Sequence, residues 1–442
     1  MDILSTYNII IEASVILILS FFFGEIAKRT NIPSVLLLIL LGILLNLGIQ
    51  ATEYEHLDFA PLLEVLGVIG LIMIVLEAAL ELELKREKLV PILKAFGIAL
   101  VGLLLSAWVA ALILNHFIEG MDMQRAWLYA MPLSILSSAI IIPSVTGLGE
   151  AKKEFHIYES TFSDILGIIA FYFLTSQLHG DAEHGVDTAV HSSGGFIAYM
   201  GNVLLTVVIS LVASYIIVLI FQNIKSSVKL FLLIAVLLLL YAVGKLMHLS
   251  SLIIILVFGL LIANMKLFFQ PKFLSSLLNY RSAHRIYEGL HVVTAETAFV
   301  VRTFFFVVFG ITIVLGSLKD PEVIMVGGFI ILSIYLIRFV ILRLSLGKDI
   351  LPQLFIAPRG LITVLLFYAI PEEAEVEGFN AGILLFVIIA TSLIMTFALI
   401  YDKRRSGQAI SKAQNMPVGY AKWKAPSVES VAEKAQEVES GH

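Results

Sequence analysis

Cysteine is absent from the chain, which removes disulfides, thiol catalysis and cysteine-based metal sites together. Charge is scarce as well. Asp, Glu, Lys and Arg make up 14% of the 442 residues, and a net charge of −5 with no basic patch gives nucleic acid nothing to hold. No basic stretch leading to a small-residue cleavage site opens the sequence, so its start reads as a retained helix and not a signal peptide. Apolar residues fill the chain, at 59% of positions with a mean hydropathy of +0.97. A soluble domain of this length keeps a large exterior that needs polar cover, and lipid removes that need. The composition is that of an all-α membrane protein.

A spanning helix takes roughly 17–25 mostly apolar residues. That spacing predicts about thirteen transmembrane helices, at 9–27, 33–49, 62–84, 92–114, 126–148, 158–178, 196–221, 230–248, 250–264, 289–316, 322–346, 352–370 and 379–401. Alternate connections then collect 19 Lys and Arg, from Lys28/Arg29 to Lys403/Arg404/Arg405. The opposite connections hold Arg125, Lys245 and Lys319 among many carboxylates. By the positive-inside rule the N-terminus is outside and the C-terminus cytoplasmic, in a cell (inner) membrane. An odd number of spans fits two inverted six-helix repeats, about 9–178 and 230–401, joined by a linker helix at 196–221. A membrane domain over 1–405 is followed by a short cytoplasmic tail, 406–442, with a short helix near 428–439.

The fifth helix of each half is interrupted. One carries Pro132 and Pro143 around Ser134, Ser137 and Ser138; the other reads Pro352 to Pro358-Arg359-Gly360. Proline removes a donor and clashes with the preceding turn, so both segments are expected to be broken crossing helices. Freed backbone at membrane depth survives only where it lines a polar cavity, and a mere proline kink is the competing reading. His179, His184 and His191 fall in an outer loop, where solvated histidines are commoner than a metal site.

Ionisable groups inside spans are costly and are functional candidates by default. Here they are Glu77, Glu159, Asp164, Glu296, Arg302, Arg338 and Arg359, with Glu12 and Glu25 in the first span. In Tyr158-Glu159-Ser160-Thr161-Phe162-Ser163-Asp164-Ile165-Leu166-Gly167, Ser160, Asp164 and Gly167 share a helix face and Ser163 lies beside it. A lone carboxylate among hydroxyls suits a small hard cation or a proton, one at a time, which is the minimal device for exchange. A structural ion pair with Arg302 or Arg359 is the competing reading, with more weight for Glu159 than for Asp164. Short loops without a nucleophile and base give no support to an enzyme, and nothing calls for a cofactor.

The stretch Glu159-Ser160-Thr161-Phe162-Ser163-Asp164 resembles the Glu-Ser-x-x-Asn-Asp signature of the monovalent cation/proton antiporter superfamily, the sodium/proton exchangers. Lys28-Arg29-Thr30-Asn31-Ile32-Pro33, Glu77 to Glu83, Ser137 to Pro143, Thr303 to Gly310 and Pro358-Arg359-Gly360-Leu361 resemble its other landmarks in order. The resemblance implies Asp164 as the group that takes cation and proton, Ser160 as an oxygen ligand and Glu77 as an acid approaching the ion. Ser163, Ser137 and Ser138 complete the candidate site. Glu159 would be structural, held by Arg302 or Arg359. Ser163 stands where electroneutral members carry Asn and electrogenic ones a second Asp. Ser137-Ser138 replace the Thr-Asp that some members have. The expected protein is a homodimeric, lipid-embedded antiporter of Na⁺ or Li⁺ against H⁺, electroneutral, serving pH homeostasis. K⁺ is the alternative ion, and a passive channel or transporter-like sensor the alternative class.

Overall fold

The computed structural model describes residues 3–30, 34–51, 60–82, 84, 86–145, 147–178, 194–224, 229–247, 251–268, 280–312 and 315–415. Every regular element among them is helical. In chain order these are α1 (Ile3–Thr30), α2 (Ser34–Ala51), α3 (Ala60–Glu81), α4 (Leu89–Phe117), α5 (Met123–Ser134), α6 (Ser138–Ser144), α7 (Glu150–Leu178) and α8 (Gly194–Phe221). They continue as α9 (Lys229–Leu246), α10 (Ser251–Ala263), α11 (Met265–Phe268), α12 (Tyr280–Thr312), α13 (Pro321–Leu346), α14 (Leu361–Tyr368) and α15 (Gly382–Asn415). Residues 1–399 form one compact unit and 400–442 a second, whose described part is helical as far as Asn415. The loop histidines His179, His184 and His191, the turn at 31–33, the side chain of Glu12 and the tail beyond Asn415 lie outside the described residues.

Among the described residues eight helices are long and apolar enough to cross a membrane, with α5 and α6 counted together, beside shorter apolar helices at Ser14–Ile26, Ser34–Gly48 and Ser251–Ala263. The protein is a multi-pass membrane protein. Three of the thirteen predicted spans depart from simple spanning helices: the fifth, broken between α5 and α6, the ninth and the twelfth. Helix α10 has only 13 residues, about 20 Å of rise against a hydrocarbon core of about 30 Å. The predicted twelfth span is no single helix but a turn at Gln353–Phe355, non-helical residues 356–360, and then α14. The predicted tenth span, 289–316, is instead Tyr280–Thr312, because exposed Arg281, His284, Arg285 and Glu288 give its first turns a polar stripe that apolar counting passes over. Likewise α7 begins at Glu150 and not at 158.

Within the first unit the helices sort into two groups by their partners. Helices α2 and α3 pack along α12, α3 and α8 along α10, with α9 beside α10 and α1 against α2 and α12. In the second group α4 packs along α5, α7 and α13, α6 lies on α7, and α14 on α5. Contacts between the groups are thinner and run chiefly from α3 to α7 and α14. Small residues explain how closely each group packs. The buried face of α4 carries Ala95, Ala99, Ala107, Ala110 and Ala111 at helical spacing. Where α2 crosses α12, a Cβ added to Gly42 would lie 2.7 Å from the Cα of Gly310 and press on the carbonyl of Val307. Lipid tails offer no hydrophobic drive between helices, so such close backbone contact is a main source of cohesion.

Gly42→Ala should therefore lower the melting temperature in detergent, at a cost of about 1–3 kcal/mol, since its methyl meets backbone that cannot yield. Gly24→Ala, with open space around its position, is the control. Equal melting temperatures for the two variants would rule out a tight crossing at Gly42.

Candidate ion-binding site

Helix α5 ends at Ser134 and α6 starts at Ser138, leaving Ile135, Leu136 and Ser137 outside helical bonding. Pro132, in the last turn of α5, lacks an amide, and the chain leaves the helix directly after Ser134. Each freed amide finds a partner. The Leu136 amide donates to Ser163 Oγ at 3.0 Å, the Ser138 amide to Asp164 Oδ2 at 3.3 Å, and the Ser137 amide to the carbonyl of Pro358 at 3.0 Å. The last bond joins this break to the break of the twelfth segment. Gly360 is required there, because a Cβ would fall 2.5 Å from Ser137 Oγ. Arg359, 2% exposed, serves freed carbonyls: its Nε donates to Leu133 O at 2.8 Å and its Nη1 to Ala357 O at 3.2 Å. Its own amide donates to Thr391 Oγ1 on α15 at 3.1 Å.

Asp164 is 1% exposed. Both the amide and the hydroxyl of Ser138 meet its carboxylate, and Oδ1 has no hydrogen-bond partner among the described residues. The carboxylate borders a narrow crevice whose other walls are Val75 and Ala78 of α3, Leu252, Ile253 and Leu256 of α10, and Ile362 of α14. That crevice lies where the two helix groups meet. A buried carboxylate with a free oxygen, beside hydroxyls and in apolar surroundings, can hold a proton or a small cation there.

The other buried charges lie inside the groups. Glu159, 1% exposed, takes two parallel hydrogen bonds from Arg338 of α13, Nη1 to Oε1 at 2.7 Å and Nη2 to Oε2 at 2.8 Å. This corrects the expectation of Arg302 or Arg359 as its partner. Glu159 projects from the face of α7 turned toward α4 and α13, away from Arg302, while Arg359 is engaged with backbone carbonyls. Glu77 also has an arginine partner: its Oε2 pairs with Arg302 Nη2 of α12 at 2.8 Å. It projects about 130° round α3 from Val75 and Ala78, the α3 residues on the Asp164 crevice. Glu296 faces outward on α12.

The family model for the transmembrane sodium/hydrogen exchanger matches residues 15–400. This chain belongs to the sodium/hydrogen exchanger family. Its fold is similar to that of the sodium proton antiporter MjNhaP1 from Methanocaldococcus jannaschii. The structure of that protein at pH 8 has 21% sequence identity and a TM-score of 0.60, covering 88% of this chain and 94% of that one. A second, from an electron-microscopy map, has 20% identity and a TM-score of 0.63, covering 96% of this chain and all of that one. None of the curated proteins matches it in sequence. At such identity the structural likeness establishes the fold, and the chemistry of this exchanger rests on its own residues.

Among those residues, Ser137, Ser138, Ser163 and Asp164 converge at the break, whereas Ser160 is fully buried one turn before and donates to the carbonyl of His156 at 2.7 Å. Two further participants escaped pattern reading. Arg338 stood out as a charge in an apolar span, but nothing in the sequence tied it to Glu159. His156 falls before the predicted start of its span, yet it is completely buried.

Glu159→Gln should lower the melting temperature markedly, because removing one partner of a buried pair leaves Arg338 uncompensated, at a cost of about 3–5 kcal/mol. Apparent cation affinity in the surviving protein should change less. An unchanged melting temperature with a large loss of affinity would instead make Glu159 an ion ligand.

Proposed function

We propose that this member of the family exchanges Na⁺ or Li⁺ for H⁺ across a cell inner membrane, one for one, with Asp164 carrying each in turn. The observation that carries the reading is the position of Asp164. It is buried at the border of the two helix groups, while Glu159 and Glu77 are bound to arginines within them. A group at that border is exposed to one side or the other when the groups slide, which is what alternating access requires. The hydroxyl of Ser138, which meets the Asp164 carboxylate, and that of Ser137 beside it in the break are the candidates to replace the cation's water. Ser163 serves the site by holding the break at Leu136. Ser160 contributes an oxygen one helical turn from Asp164.

The moving body is larger than the two broken segments and their neighbours. The buried Glu159–Arg338 pair and the small-residue face of α4 make α4 and α13 travel with α5, α6, α7, α14 and α15. Breaking such a pair in each cycle would cost several kcal/mol. The remaining helices form the scaffold, with thirteen crossings in two inverted repeats, and the protein works as a homodimer. The excess of Lys and Arg on alternate connections supports a cytoplasmic C-terminus, with 1–405 as the exchanger and 406–442 as a tail.

Charge counting supports electroneutrality. A serine hydroxyl stays protonated across the physiological range, so the Ser163–Asp164 pair has one titrating group. Glu77 is bound to Arg302 and turned from the crevice. One cation then displaces one proton.

Asp164→Asn should abolish Na⁺-driven proton flux in sealed vesicles while leaving a folded protein, since an amide takes up no proton; turnover like that of the wild type would remove Asp164 from the mechanism. Parallel Na⁺, Li⁺ and K⁺ gradients rank the ions. For the stoichiometry, a potassium-diffusion potential set with valinomycin should leave the Na⁺-driven rate unchanged in either sign. A rate that follows the potential would refute one-for-one exchange.

A further inference from the structure

His156 is a buried titratable group that the exchange reaction does not use. It lies on α7 between Lys152 and Glu159, with no exposed surface. Three charged groups surround it. Glu159 Oε2 is 3.3 Å from its Nδ1; Arg338 lies beyond, on the same carboxylate; Lys152 is one turn earlier. Lys152 is itself held by Asp349 at 2.9 Å and by the carbonyl of Leu351 at 2.8 Å. Neither ring nitrogen makes a well-aligned hydrogen bond among the described residues. An imidazole kept there with an unsatisfied Nε2 carries a cost that an apolar side chain of similar size would avoid. What it offers in return is the approach of Nδ1 to Glu159.

We propose that His156 is a positioning residue for exchange: as the Nδ1–H tautomer it turns a third polar N–H toward the Glu159 carboxylate, 3.3 Å away, and so fixes how α7 presents Ser163 and Asp164 to the break. The path is short. Arg338 holds both oxygens of Glu159 and gives its Nε to the carbonyl of Gln353 at 3.1 Å, tying α7 to α13 and to the start of the second broken segment. Glu159 and Ser163 lie on one face of α7, one turn apart, and Ser163 accepts the Leu136 amide. The main-chain carbonyl of His156 also receives the hydroxyl of Ser160. With Arg338 alone, the carboxylate is held from one side and α7 gains freedom to rotate. The amides of Leu136 and Ser138 then meet displaced partners. The inference rests on Asp164 being the exchanging group.

The test uses three variants of the full-length protein in proteoliposomes, with Na⁺-driven proton flux measured over pH. Asn places an amide donor where Nδ1 stands, Gln places it where Nε2 stands, and Leu provides none. His156→Asn should keep the apparent KM for Na⁺ near that of the wild type. His156→Gln and His156→Leu should raise it about three- to tenfold, the scale of one ordinary hydrogen bond, with a smaller change in maximal rate. All three should keep the pH dependence of the wild type, apart from the shift that weaker cation binding itself brings. Equal KM values for the Asn and Gln variants, both polar and close in size, would overturn the proposal. So would a displaced pH profile in the Asn variant, which would show His156 acting through its charge. A wild-type protein without Na⁺/H⁺ exchange would overturn instead the reading of the site on which this rests.

Discussion

Backbone that leaves a helix inside a membrane must find partners within the protein, because lipid supplies none. The centre of this molecule is arranged around that constraint. Two segments break beside each other, and their amides and carbonyls are met one by one: Leu136 by Ser163, Ser138 by Asp164, Ser137 by Pro358, and Leu133 and Ala357 by Arg359. The residues that close this account also bring chemistry. Satisfying the Ser138 amide with a carboxylate, rather than with a neutral oxygen, puts a titratable group at the break.

The same reasoning orders the charges. A charge in low dielectric is stable when its partner is held in good geometry; the buried Glu159 is held that way by Arg338 and the partly buried Glu77 by Arg302. Each pair joins helices of one group, so each stiffens a body. Among the described residues Asp164 has no such cation, and it borders a crevice walled by alkyl side chains from the opposite group. An apolar border carries few directional bonds that sliding would break. A single carboxylate on that border makes the free energy of the site depend on what occupies it.

Family membership and these local contacts reinforce each other without overlapping. The family match covers nearly all of the membrane region. The serines at positions 137, 138 and 163, the Arg302 partner of Glu77 and the buried His156 are particular observations about this chain. They are what its ion preference and its charge balance have to be argued from.

The sequence by itself determined the membrane class, the approximate helix positions and the two interruptions, and it singled out Asp164 as a candidate. Each is written in local terms: apolar runs of bilayer length, paired prolines, and a carboxylate among hydroxyls on one helix face. Helix ends were less legible, as at Glu150 and Tyr280, because amphipathic turns continue a helix without looking apolar. Pairing was decided by tertiary structure alone. Glu159 has several arginines within the predicted spans to choose from, and the packing of α7 and α13 on α4 selects Arg338. Glu77 lies in a motif that suggests an ion ligand, and the rotation of α3 against α12 gives it to Arg302 instead. Spacing along a helix fixes which residues share a face, but only the packing of one helix on another decides what that face meets.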